Sequence, residues 1–244
     1  MRRSRLLRLL HTVRPFELGL ARAPCAACSF GWCLRLARSE SGVRCPRCGA
    51  SAVTQSLAAV VRSEVPELAR CAAYEMSAGG PLVDCLRRHC ASLVTSELLD
   101  GVAPGQTRDG VLCQNIEQLT FADASFDLCT STEVFEHVED DAAGFREVFR
   151  VLRPGGHFVF SVPLFDSAAT VERMGWQEGR RVELLPAQYH ADRYRGAVIL
   201  VQRDYGRDIV ERLAAAGFAQ ARIVRPPIAL FGHARPVLLA QRQA

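Results

Sequence analysis

Four cysteines stand in two pairs, Cys25-Ala-Ala-Cys28 and Cys45-Pro-Arg-Cys48, at the spacing C-x2-C-x16-C-x2-C. Two-residue gaps let each pair form a turn that aims both thiolates at one centre, which is the spacing of a tetrahedral zinc site. Pro46 and Gly49 suit the bend of the second turn. Four sulfur ligands leave no open coordination position, so zinc held by Cys25, Cys28, Cys45 and Cys48 is expected to be structural. Further on, Glu75 precedes a turn containing Ser77, Gly79, Gly80 and Pro81, and Glu97 follows about 20 residues later. A glycine turn admits close approach of backbone to a ligand, and a carboxylate at that distance suits ribose hydroxyls. His190, in an Arg-rich stretch, has the residue type of a general base and is the candidate catalytic residue.

The elements that must carry these groups alternate. Short apolar runs at 72–76, 92–97, 109–115, 126–132 and 157–165 read as strands, and residues 82–90 and 142–152 as helices between them. A helix over 205–218, ended by Gly217, precedes two closing strands. Strands alternating with helices predict an α/β fold, a doubly wound, mostly parallel sheet with its ligand edge at the carboxyl ends of the strands. The expected organisation is a basic tail or helix (1–22), a small cysteine-rich unit (23–55), linker helices broken by Pro66 (56–71), a cofactor core (72–165), a variable substrate-side insertion (166–204) and a closing helix with two strands (205–244).

Residues 113–165, with the wording LTFADASFD, STEVFEHV and RPGGHFVFSVP, closely resemble the C-terminal half of the class I S-adenosylmethionine-dependent methyltransferase core, in the type 11 methyltransferase family. The cysteine segment resembles a zinc ribbon. The first resemblance implies a Rossmann-like sheet of seven strands with the last antiparallel, S-adenosyl-L-methionine as cofactor, and methyl transfer as the activity. It places Glu75, Ser77 and Gly79 in the donor loop, Glu97 on the ribose, Asn115 and Ile116 at the adenine, and Thr132 on the floor beneath the methyl donor. Ser77 and Pro81 stand where the family pattern has glycines, and Thr120 where it has proline. His137 is expected to support its loop. The chain lacks the Asn/Asp-Pro-Pro-aromatic tetrapeptide that serves planar base amines, which favours a small-molecule or glycan-linked acceptor. Two alternatives stay open: RNA gripped by the ribbon and methylated by the core, and a non-catalytic binding module with a degenerate donor loop.

A net charge of +4 is too mild to demand a nucleic-acid partner. All basic residues are arginine, the compositional habit of GC-rich bacterial coding sequence. The six remaining cysteines fall in apolar stretches, as reduced, buried thiols do, so a cytoplasmic setting is expected. No run reaches the ~20 apolar residues of a membrane span. Arg5 and Arg8 interrupt the N-terminal apolar stretch, which reads as a tail or lead-in helix, with peripheral membrane contact as the alternative.

Overall fold

A computed structural model describes residues 15–191 and 198–243. The expected N-terminal lead-in therefore lies mostly outside the described residues. Its last residues do not form a tail: β1 (Gly19–Arg22) joins β2 (Trp32–Arg35) and β3 (Val43–Arg44) in an antiparallel sheet around the cysteine turns. Helix α1 (Ala52–Glu64) starts where Ser51 Oγ accepts the Thr54 backbone N–H, four residues before the helical spacing suggested. Pro66 ends it, and a single helical turn, Leu68–Arg70, leads into the core.

The core runs β4 (Ala72–Glu75), α2 (Pro81–His89), β5 (Ser92–Glu97), β6 (Thr107–Arg108), β7 (Val111–Cys113), β8 (Phe126–Thr132), α3 (Asp141–Val151) and β9 (Leu152–Ser161). Six short strands follow: β10 (Val171–Glu172), β11 (Met174–Gln177), β12 (Arg180–Glu183), β13 (Tyr189–Ala191), β14 (Val198–Leu200) and β15 (Arg203–Asp204). They pair as β10–β15, β11–β12 and β13–β14 and make up the variable insertion. Helix α4 (Ile209–Ala215), β16 (Gln220–Val224) and β17 (Val237–Gln241) close the chain.

The central sheet has the order β16-β17-β9-β8-β4-β5-β7-β6. From β9 to β7 the strands are parallel, and β17 runs antiparallel between β9 and β16. Eight strands replace the expected seven. The extra one, β6, forms a hairpin with β7 through Asp109 and Gly110, both at positive φ, as a two-residue hairpin turn requires. Chain order reverses between β4 and β8, so their carboxyl ends flank the switch point where ligands settle in such sheets.

Alternate side chains of each strand supply opposite faces. Ala73, Leu128, Val159 and Leu239 face α1 and α2, while Tyr74, Cys129, Phe158 and Phe160 face α3 and α4. The first layer also contains Cys25, Ala27, Cys45 and Ala50, so the ribbon shares the core of the sheet. Burying such small side chains contributes only about 0.8 kcal/mol per methylene-sized group, but sharing the sheet's core offsets the ribbon's own lack of apolar mass. Arg62 and Arg88 add to the join by donating to the Ala26 and Ala27 carbonyls at 3.1 and 2.6 Å. Of the six other cysteines, Cys33, Cys71, Cys85, Cys113 and Cys129 are buried, Cys90 is half-buried, and none is bridged.

Candidate functional site

Each cysteine pair forms a turn closed by its own backbone. Ser29 N–H donates to Cys25 O at 2.8 Å, and Gly49 N–H to Cys45 O at 2.9 Å. The residue after each pair is left-handed, Ser29 at φ 61° and Gly49 at φ 79°. All four sulfurs lie within 4.8 Å of one another, with Cys25–Cys48 at 3.7 Å and Cys28–Cys45 at 3.6 Å. Sulfurs at 2.3 Å from a tetrahedral ion stand about 3.8 Å apart, so the arrangement fits a closed thiolate metal site. Burial pushes the Cys48 thiol up to about 12 and Cys25 higher still. A bound cation would reverse that preference for the protonated form.

At the sheet edge, Glu75 is fully buried at the end of β4. Ser77 Oγ donates to its Oε1 at 2.5 Å and Thr130 Oγ1 to its Oε2. Burial pushes this carboxyl up to about 7 despite both hydroxyls. Ser77, where the family pattern has glycine, is thus a partner for the acid beside it. Gly79 has open space around it, and Gly80 holds φ 124°, so the glycine requirement falls on Gly80 as helix α2 begins. Glu97, at the end of β5, accepts the Ala78 N–H at 3.0 Å and ties the donor loop to the neighbouring strand.

Past β7, Asn115 Oδ1 accepts the Glu117 N–H at 3.0 Å, forming a local turn. That contact leaves the side-chain amide N–H pair and one oxygen lone pair for a ligand. Ile116 is half-buried and packs toward α3, where Gly144 allows the close approach. Thr120 explains its departure from proline. Its N–H donates to Gln114 Oε1 at 3.0 Å while its hydroxyl accepts from Gln114 Nε2 at 2.6 Å, and proline could offer neither. Thr132 Oγ1, and Ser131 Oγ beside it, are buried with no hydrogen-bond partner among the described residues. Such orphaned hydroxyls at the ligand edge of a switch point are what a polar cofactor would satisfy.

After β8 the chain brings together a group that the spacing of the sequence concealed. Glu136 is buried, 1% exposed, and neither carboxylate oxygen has a hydrogen-bond partner among the described residues. His137 Nε2 and His190 Nδ1 each lie 3.6 Å from Glu136 Oε1. The two imidazoles meet edge to face, with centroids 5.0 Å apart. His137 Nδ1 bonds Leu200 O at 2.8 Å, so that nitrogen carries the hydrogen and Nε2 faces the carboxylate. The Glu136 carboxylate beside it raises the His190 imidazole above its ordinary value. Glu133, three residues before Glu136, also has one buried, unpartnered oxygen, and burial followed by the Glu136 charge pushes it up to about 7.

The insertion holds this group in place. Arg203, 5% exposed, donates to the Val138 and Glu139 carbonyls at 2.6 and 2.7 Å and pairs with Glu172 at 2.9 Å. Tyr205 Oη donates to Asp141 at 2.8 Å, and Gln202 N–H donates to Glu136 O at 2.7 Å. Gln202 and Arg203 of the insertion, with Tyr205 just beyond it, therefore hold the turn Phe135–His137 and the residues after it. Glu136, Arg203 and Tyr205 were missed from sequence because nothing local marks them. A separate recess of about 420 Å³ between the ribbon and α1, lined by Pro24, Ala59, Arg62 and Ile228, is distinct from this strand edge.

The fold and its polar ligand edge define a doubly wound protein built to hold a nucleotide-like cofactor at the β4–β8 switch point. The family model described as a methyltransferase domain matches residues 74–160 of this chain. The chain is similar to the malonyl-[acyl-carrier protein] O-methyltransferase of Erwinia pyrifoliae, 34% identical over 37% of this chain and 35% of that protein. It is also similar to a ubiquinone/menaquinone biosynthesis C-methyltransferase of Vibrio vulnificus, 40% identical over 23% of each. The chain thus spans about a third of the length of the curated relatives it matches first. Its fold is that of an S-adenosylmethionine-dependent methyltransferase from Mesorhizobium loti, with TM-score 0.50, 22% identity, and coverage of 77% of this chain and 98% of that one. Among the described residues no helix is long and apolar enough to cross a membrane.

Proposed function

We propose that the protein is an S-adenosylmethionine-dependent methyltransferase acting on a small-molecule or glycan-linked acceptor, with a zinc-stiffened ribbon at its N-terminal side. The observation that carries this reading is the tie between Ala78 and Glu97, which sets a glycine loop beside a strand-end carboxylate. When bound, the cofactor supplies an activated methyl group. The protein then has to align donor and acceptor and exclude water.

In this reading Glu97 and the Gly79–Gly80 backbone hold the ribose side, Glu75 and Ser77 shape the loop, and Asn115 and Ile116 flank the base. Thr132 uses its free hydroxyl toward the donor. His190, reaching in from the insertion, takes the acceptor's side of the crevice and would direct the proton of an O–H or N–H acceptor. Cys25, Cys28, Cys45 and Cys48 hold one zinc ion, which fixes the ribbon against α1 and α2. The malonyl-[acyl-carrier protein] O-methyltransferase and the ubiquinone/menaquinone biosynthesis C-methyltransferase among the relatives support a small-molecule acceptor over RNA.

The test is calorimetric titration of S-adenosylhomocysteine into the full chain and into Glu97→Ala. Binding by the native chain, weakened about tenfold or more in the variant through loss of a charge-assisted contact, is the expected outcome. No heat with either chain would favour the non-catalytic reading.

A further inference from the structure

We propose that Glu136, His137 and His190 form a binding site for a divalent first-row transition metal, separate from the cysteine site. One carboxylate and two imidazoles converge there: Glu136, His137 and His190 each offer a donor atom within 4.8 Å of the others. The two measured separations from Glu136 Oε1 are 3.6 Å. Ligands at 2.0–2.2 Å around one ion stand about 3.0–3.5 Å apart, so small side-chain rotations close the set. Two imidazoles and one carboxylate occupying part of a coordination sphere are an open site, unlike the closed four-sulfur set.

An ion pair alone does not account for the geometry. A contact of 3.6 Å is too long for a hydrogen bond, and a carboxylate that is 1% exposed with both oxygens unpartnered is costly to bury. The Leu200 carbonyl takes the His137 Nδ1–H and so turns Nε2 toward Glu136. That backbone bond is also the outer contact by which metal-bound imidazoles are oriented. Glu133, three residues before Glu136, has a buried unpartnered oxygen of its own.

The site's place in the fold suggests its use, and this part rests on the methyltransferase reading. Glu136 and His137 follow β8, at the switch point, and His190 arrives on the insertion. The open positions would take a hydroxyl oxygen of the acceptor. The cation would favour loss of that hydroxyl's proton to solvent by stabilising the electron pair left on oxygen, and this oxygen would then take the methyl group as S-adenosylhomocysteine leaves. The acceptor class narrows accordingly to compounds with a hydroxyl able to coordinate a metal.

The experiment is a Co2+ titration of the zinc-loaded full chain, followed by visible absorption and calorimetry, with His190→Ala, Glu136→Gln and S-adenosylhomocysteine binding measured in parallel. About one Co2+ per chain is expected, showing ligand-field bands without sulfur-to-cobalt charge transfer. Binding should weaken at least tenfold in both variants. His190 is on an exposed hairpin, so its variant keeps the test valid if Glu136→Gln fails to fold. Absence of nitrogen- and oxygen-bound Co2+, or binding unchanged in His190→Ala, would overturn the site. If S-adenosylhomocysteine still bound, the donor reading would survive that failure. Co2+ bound without any S-adenosylhomocysteine binding would keep the metal site and overturn its role toward a methyl acceptor.

Discussion

The cysteine turns and the Glu136–His137–His190 group both gather side chains suited to a cation, and they do so by opposite means. In the ribbon, each half-site is a five-residue loop closed by one backbone hydrogen bond, Ser29 to Cys25 or Gly49 to Cys45. Ligand direction there is set locally, and the tertiary fold only brings two finished halves together. At the β8 edge nothing local finishes the site. His190 must be delivered by a hairpin of two three-residue strands, and Glu136 is held by the carbonyls around it through Arg203. A site built from local turns tolerates loss of distant contacts. One assembled across the fold depends on its scaffold.

That difference sets the largest expected effect. Cys45→Ser removes one of four clustered sulfurs, which pack into the core shared with α1 and the sheet. Loss of a structural metal falls in the class of changes costing about 4–5 kcal/mol, which for a chain of this size lowers the melting temperature by roughly 10–20 °C. Differential scanning calorimetry with a zinc assay checks it. A variant that keeps both its melting temperature and its zinc would remove the metal from the account of stability.

The second site breaks at its scaffold. Arg203→Met strips the Val138 and Glu139 carbonyls of their donor and leaves Glu172 and Asp141 with Arg212 as their remaining cation. Breaking a buried ion network of this kind costs about 3 kcal/mol or more. The expected result is a lower denaturant midpoint together with weaker Co2+ binding at Glu136, with zinc content unchanged. If Co2+ binding is untouched while stability drops, the turn keeps its shape without the insertion's clamp.

These contrasts also explain what was legible in the sequence. The strand runs 92–97 and 126–132 coincide with β5 and β8, because five or more apolar-rich residues bounded by polar turns have few other homes. Glu97 stands at the end of β5, where it accepts the Ala78 N–H of the loop. The strand β6 went unread because Asp109-Gly110, a hairpin signal, was absorbed into the following strand. The insertion strands, two to four residues each, are too short to show a period, so neither their pairing nor the arrival of His190 beside Glu136 was readable. The ribbon's share in the main core escaped for a related reason. Ala27, Ala50 and the cysteines are small, and only three-dimensional packing shows what they cover.

Two buried carboxylates on the same edge sharpen the comparison further. Glu75 has two hydroxyl donors, whereas Glu136 has none. Burial holds Glu75 at about 7, above its ordinary 4.5. Between those values the folded chain binds more protons than the unfolded one, so this group makes stability fall as pH rises from 4.5 to 7, by roughly 3 kcal/mol in total. Above 7 its contribution is flat. Glu75→Gln should abolish that component and leave the variant more stable than the native chain at pH 8, with one hydroxyl reversed to accept the new N–H. Chemical denaturation at four pH values measures it, and a slope unchanged by the substitution would show that the carboxylate stays ionised in the folded chain.

The smallest effect compares the two cysteine turns with each other. Both need a left-handed residue after the second cysteine. Gly49 meets that requirement without strain, while Ser29 meets it at φ 61°. A side chain in that region costs about 1–2 kcal/mol, and replacing it by glycine returns part of this as greater freedom of the unfolded chain, about 0.4–1 kcal/mol. Ser29→Gly should therefore stabilise the protein by about 0.5 kcal/mol. Gly49→Ala should destabilise it by about 1 kcal/mol, through conformation alone, since a Cβ at Gly49 meets no atom within 4 Å. Opposite signs in paired thermal melts would establish that the two turns are one local structure written twice. Equal signs would mean that packing against α1, and not backbone preference, shapes the first turn.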